Sequence, residues 1–178
     1  MTRTEVHGFI EDVGPVGRLA AALGTPDSLI ALHEFPDGEV LPTVPTCDGD
    51  TILFYRSLHH MTERLLPLLL TADAYRRAGA SRVVLVAPYL GYLRQDAVFR
   101  PGQSLSRDVM GRLIGGAFDR VVTAQAHLHR TSSLTKVFGV RGDSLPVAAA
   151  LASIATDEPR PLVVGPDVES GPWVREAA

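Results

Sequence analysis

At roughly 100–200 residues per domain, a chain of 178 residues holds one complete domain and the start of another. Hydrophobic residues make up 46% of it and charged residues 21%, with a net charge of -3, so nothing in the balance points to nucleic acid or an acidic membrane surface as partner. A single cysteine, Cys47, excludes an internal disulfide and a thiolate zinc site, which fits a reducing compartment.

The N-terminal "MTRTEVHGFIEDVG" lacks the long apolar region of a secretory signal. The most apolar stretch, residues 65–75, is interrupted by Pro67 and Asp73 and falls short of the ~20 apolar residues a membrane-spanning helix needs. A cytoplasmic protein is expected.

In chain order, "VHGFI" reads as a strand, and "PVGRLAAALG" as a helix closing on Gly24. "SLIALHEF" is a second strand, followed by a turn at "FPDGE" (35–39) and a strand "TILFYRS" from Thr51. "TERLLPLLLTADAYRRAGA" carries Leu65, Leu68, Leu69, Ala72 and Tyr75 or Arg76 at helical spacing, with Pro67 expected in the first turn. A strand "RVVLVAP", a helix "SRDVMGRLIGGAF" capped by Ser104 or Ser106, and a strand "RVVTAQAH" follow. After a weak boundary at 140–146, a helix begins at Ser144, then a strand "PLVVGPD", then the start of another helix. Continuous apolar strands alternating with helices predict an α/β fold with a doubly wound, mostly parallel sheet. The domains expected are 1–143 and an incomplete 144–178, since one strand and a helix cannot bury a core alone.

In such sheets ligands bind beyond the carboxyl ends of the strands. There the chain places Tyr89, Tyr92, Arg94, Gln95 and Asp96 after one strand, His127 and His129 after the next, and Asp167 after the third. Arginine offers a planar donor fork to phosphate oxygens, and glutamine both donates and accepts. A histidine and an aspartate beside a phosphate suit a divalent ion, so the set reads as phosphoryl-transfer chemistry. Taken singly, each has a plainer reading. Arg94 and Asp96 make a surface ion pair, His127-Leu128-His129 a solvated turn, Asp167 a helix N-cap, Tyr89 and Tyr92 packing residues, and 35–39 a simple turn. No G-x-x-x-x-G-K-[ST] or G-x-G-x-x-G sequence occurs, so neither a Walker-type ATPase nor a standard dinucleotide-binding fold is supported.

"FPDGE", "YLRQDAVFRPGQSLS", "VVTAQAHLH" and "VVGPD", in this order, resemble ribose-phosphate pyrophosphokinase, also called phosphoribosyl pyrophosphate synthetase. The resemblance runs from about Phe35 to the last residue and implies a phosphoribosyltransferase-like fold. It implies that Arg94 and Gln95, with Asp96, hold ATP, and that Phe35, Asp37 and Glu39 reach adenine and ribose from a neighbouring subunit of a homo-oligomer. His127, the implied catalytic residue, lies with Asp167 by Mg²⁺. The implied substrates are ATP and ribose 5-phosphate, whose anomeric hydroxyl attacks the β-phosphorus to give phosphoribosyl pyrophosphate and AMP.

The chain departs from the family at Gln125-Ala126-His127, where Asp-Leu-His is common, at Val168-Glu169-Ser170, where a Gly pair is frequent, and at Ala97, where a basic residue is usual. The family's Asp-Asp sugar-phosphate loop and basic catalytic loop have no counterpart here, so the chain reads as the N-terminal part of such an enzyme. The alternative is a catalytically inactive nucleotide-binding relative acting as regulatory partner of synthetase subunits. A third reading, an unrelated phosphoribosyltransferase-like binding domain, is opposed by the Phe35 and Arg94 motifs.

Overall fold

A computed structural model describes residues 3–47, 50–128, 130–153, 162–165 and 167–177. The second histidine of the His-Leu-His stretch, His129, lies outside the described residues. The chain divides into two compact units, Met1–Ser144 and Leu145–Ala178.

The first unit is built on seven strands: β1 (Thr4–Phe9), β2 (Asp27–Glu34), β3 (Val40–Thr43), β4 (Thr51–Tyr55), β5 (Arg82–Val86), β6 (Arg120–Ala124) and β7 (Arg141–Leu145). They lie in the order β3-β2-β1-β4-β5-β6-β7. Pairing is parallel from β2 through β1, β4 and β5 to β6, in registers such as Val6↔Leu53 and Phe54↔Leu85. β2 and β3 pair antiparallel, in registers such as Leu32↔Pro42. The strand order reverses between β1 and β4, as the doubly wound reading requires.

Helices cover both faces because successive strand residues point to opposite sides. Leu53 and Tyr55 of β4, with Val6 of β1, meet Val16 and Ala20 of α1 (Val13–Leu23). Ile52 and Phe54 point the other way, into the main core, where Leu68, Ala72 and Tyr75 of α2 (Met61–Arg77) and Ile114 of α3 (Ser106–Ala117) pack. Gly24 closes α1 with φ 64°, as expected.

Several local expectations are corrected. Pro67 lies within α2 rather than in its first turn, because the helix begins earlier, at Met61. Leu68, Thr71, Ala72 and Tyr75 are all buried on this helix, and that packing offsets the missing N–H. Neither Ser104 nor Ser106 caps α3. Leu105 holds the N-cap position without a side-chain bond, and the two serine hydroxyls pair with each other at 3.0 Å. Ser144 starts no helix: its hydroxyl accepts from the Ala126 amide at 2.8 Å, and it belongs to β7.

β3 was not expected, since Pro42 sits inside its four residues. An edge strand tolerates proline, and β3 is the edge. The short helix α4 (Leu134–Phe138) was also unanticipated.

In the second unit, α5 (Ala148–Ala152) is followed by a 3₁₀ turn at Val168–Ser170 and by α6 (Gly171–Ala177). The expected strand at 161–167 is absent over 162–165, where Leu162 and Val164 are 86% and 76% exposed. Among the described residues this unit offers no second strand to pair with, and a lone strand leaves its backbone groups without partners.

Candidate functional site

β5 and β6 deliver two loops side by side at the carboxyl edge of the sheet. The Ala87 amide donates to Val122 O (2.8 Å), and the Ala124 amide and Thr123 hydroxyl both reach Pro88 O (3.2 and 3.4 Å). The loop after β5 is therefore tied down where it starts. Leu58 holds it next, through its amide to Tyr89 O (2.8 Å) and a parallel bridge to Leu90, while Leu90 and Leu93 sink into the core. Tyr92 takes φ 61°, an unusual conformation for a bulky residue, and its hydroxyl bonds to Thr62 Oγ1. Both tyrosines are exposed, contrary to a packing role.

Arg94 faces solvent between the buried Leu93 and the buried Asp96. Among the described residues its side chain has no hydrogen bond or ion pair. Gln95 is half-buried; its amide donates to Ala97 O (2.9 Å), and its backbone carbonyl accepts from the Arg107 amide (3.2 Å). A cavity of about 310 Å³ opens beside it, lined by Tyr92, Gln95, Gln103, Ser104 and Ser106. Its walls are amides, hydroxyls and one phenol, suited to a neutral group with many hydrogen-bonding edges.

Asp96 does not pair with Arg94. It is 8% exposed, and its Oδ1 accepts from Arg130 Nη1 at 2.7 Å. The Arg130 guanidinium also lies 5.4 Å from the centroid of Phe99. Arg130 thus joins the β6–α4 loop to the loop after β5, a role no local sequence signal announced. In the same β6–α4 loop Gln125 has φ 42°, the Ala126 amide is held by Ser144, and His127 is half-buried. Below it Asp143 accepts from Arg120 (2.6 Å) and Arg141 (3.4 Å), and the Arg120 hydrogen bond holds its carboxyl below the usual range.

The turn at 35–39 forms the tip of the β2–β3 hairpin. Phe35 donates its amide to Glu39 O (2.8 Å) and accepts from Gly38 (2.9 Å), whose φ of 88° suits glycine. Asp37 accepts from the Glu39 amide at 3.2 Å, and the Phe35 ring stands edge-on to His33. All three candidate residues of the turn are exposed. β2 and β5 are separated by β1 and β4, so this turn and the Arg94 loop stand three strand spacings apart, about 14 Å.

In the second unit Asp167 makes a capping box, its Oδ1 accepting from the Ser170 amide at 2.9 Å while the Ser170 hydroxyl meets the Asp167 backbone. Among the described residues no three His, Cys, Asp or Glu side chains converge as a metal cage. No described helix is long and apolar enough to cross a membrane.

Residues 16–117 match the family described as the N-terminal domain of ribose phosphate pyrophosphokinase. The chain belongs to that family. The ribose-phosphate pyrophosphokinase of Halobacterium salinarum is 37% identical over 151 residues, covering 84% of this chain and 52% of that protein. The ribose-phosphate pyrophosphokinase of Methanopyrus kandleri is 32% identical over 165 residues, covering 90% and 56%. The chain thus spans about half the length of the curated relatives it matches. In fold it is similar to a crystal structure of phosphoribosylpyrophosphate synthetase from Mycobacterium smegmatis, with a TM-score of 0.76 at 19% identity over 88% of this chain and 53% of that one. The α/β architecture with a mostly parallel sheet, read from the strand pattern, and the phosphoribosyltransferase-like type implied by the resemblance are the ones found.

Proposed function

We propose that this chain is the nucleotide-binding part of a ribose-phosphate pyrophosphokinase, which transfers the pyrophosphoryl group of ATP to the anomeric hydroxyl of ribose 5-phosphate. The observation that carries the reading is Arg94, exposed and without a side-chain partner among the described residues, on a loop anchored on both sides, next in the chain to Gln95, which lines the neutral cavity. An arginine with no internal partner is free to spend its donor fork on phosphate oxygens. The neutral polar cavity lined by Gln95 suits the rest of a nucleotide.

Phosphoryl transfer of this kind is mainly positioning and charge neutralisation. His127 is the residue of the first unit that we place near the Mg²⁺ that accompanies ATP. That ion neutralises phosphate charge when bound; it favours phosphate and water oxygens, so one or two protein ligands suffice. Asp96 acts here by positioning, through Arg130. We place Phe35, Asp37 and Glu39 on the nucleotide from a second copy, as the family resemblance implies; their turn stands three strand spacings along the sheet edge from the Arg94 loop of its own chain.

The test is ATP affinity by calorimetry. Arg94→Ala should weaken binding about tenfold or more by removing a charge-assisted phosphate contact. Unchanged affinity would sink the assignment.

A second reading is a nucleotide-binding relative without transfer activity, favoured by Gln125 where the family has an acid and by the engagement of the Asp96 carboxylate with Arg130. Phosphorus NMR of the chain with ATP, ribose 5-phosphate and Mg²⁺ separates the two. AMP and phosphoribosyl pyrophosphate in equal amounts support the enzyme, whereas broadened ATP resonances without product support the relative.

A further inference from the structure

We propose that Arg130 is a second phosphate-binding residue of the nucleotide site, held in place by Asp96 and Phe99 and directed at the outer phosphates of a nucleoside triphosphate. The assignment rests on the nucleotide reading of Arg94 and extends it to the neighbouring loop. Arg94 stands on the loop after β5, and Arg130 on the loop after β6, three residues beyond His127. Those two strands are parallel neighbours, so both loops leave the sheet at its carboxyl edge. The loops meet where Arg130 Nη1 donates to Asp96 Oδ1 at 2.7 Å, two residues along the chain from Arg94.

This is not a loose surface ion pair. The Asp96 side chain is 4% exposed and that of Arg130 56% exposed. A carboxylate so far out of water holds its cation closely. The Phe99 ring supports the same guanidinium, 5.4 Å from its centroid. Both contacts restrict the arginine before any ligand arrives, so less side-chain freedom is lost on binding. Nη1 meets the carboxylate, while a guanidinium carries donors on its other nitrogens too, and more than half of this side chain is open to solvent.

Place distinguishes Arg130 from other arginines held by buried carboxylates. Arg56 bonds Asp12 at 2.8 Å and lies 4.5 Å from the Phe9 centroid, the same two kinds of contact, but its side chain is itself buried. Arg3 reaches the buried Glu5 at 3.1 Å and is exposed, but it precedes β1 and so stands at the amino edge, away from where such sheets take ligands. Of these three, Arg130 is the one both exposed and at the carboxyl edge. A phosphate chain that starts at Arg94 gains charge with each added phosphoryl group, so the contribution of Arg130 grows from monophosphate to triphosphate.

Calorimetry of the 178-residue chain with AMP, ADP and ATP in the presence of Mg²⁺ tests this. Arg130→Gln should weaken ATP about tenfold or more, ADP less and AMP least, so that the ratio of ATP to AMP affinity falls. The single substitution leaves Asp96 buried without its cation, so Asp96→Asn/Arg130→Gln, which sets two neutral amides against each other, is measured beside it. The same fall in the ratio is expected. An unchanged ratio in the double variant, whether the affinities hold or drop together, would overturn the proposal and make Arg130 a structural tie between the loops. If Arg94→Ala still weakens ATP, that result leaves the nucleotide reading intact; a parent chain that does not bind ATP would remove both.

Discussion

Tyr75 is fully buried, and its hydroxyl lies 2.8 Å from Nδ1 of His7, whose Nε2 is 3.0 Å from Glu5. A carboxylate only accepts, so Nε2 carries the proton toward Glu5 and Tyr75 donates to Nδ1. Burial, with Cys47 and Glu5 nearby, raises the phenol well above its ordinary value. The stability this confers is complete below the unfolded tyrosine value of about 10, and is lost as pH rises from there, at about 1.4 kcal/mol per pH unit. Denaturation between pH 9 and 11.5 should show that slope in the parent chain and a shallower one in Tyr75→Phe; parallel slopes would exonerate Tyr75. At neutral pH the same variant should lose about 1–3 kcal/mol, because Nδ1 keeps no donor. Helical spacing left Tyr75 or Arg76 for the last position of the buried face of α2, and the structure takes Tyr75. Its partner 68 residues away had no signature, since Glu5 and His7 look like the polar positions of a half-exposed strand.

At the scale of elements, the contact of α3 with α4 depends on the absence of side chains. Gly115→Ala would drive a methyl into the Phe138 carbonyl and should cost roughly 1–3 kcal/mol or more. Gly116→Ala meets nothing within 4 Å and should be neutral or stabilising by up to about 1 kcal/mol. Urea midpoints compare the two, and equal losses would show that helix propensity rather than close approach governs this pair. The glycines themselves are plain in "MGRLIGGAF", but which of them faces another helix is not, because α4 has no apolar period long enough to announce it. The parallel strands were legible for the opposite reason: being covered on both faces, they read as unbroken apolar runs. The run near 161–167 has the same look and forms no strand over 162–165, since a strand needs a partner as well as a composition.

At the scale of the whole molecule, sheet order separates what the motifs seemed to collect. The turn at 35–39 and the Arg94 loop share an edge of the sheet but not a place on it. If two copies complete each site, Phe35→Ala and Arg94→Ala chains should each bind ATP poorly, while an equal mixture regains about a quarter of the native sites by random pairing. Stoichiometry by calorimetry reads this directly; a mixture no better than its components would confine the site to one chain.

By itself the sequence determined the alternation of strands and helices, the loop that follows each buried strand, and the residue types that could meet a phosphate. Those are local properties, carried by periodicity and side-chain chemistry within some twenty residues. Only tertiary structure decided that Asp96 answers to Arg130 rather than Arg94, and that His7 and Glu5 are core groups. Each of those facts joins segments whose separation in the chain says nothing of their separation in space, which is set by strand order and by how closely helices can approach.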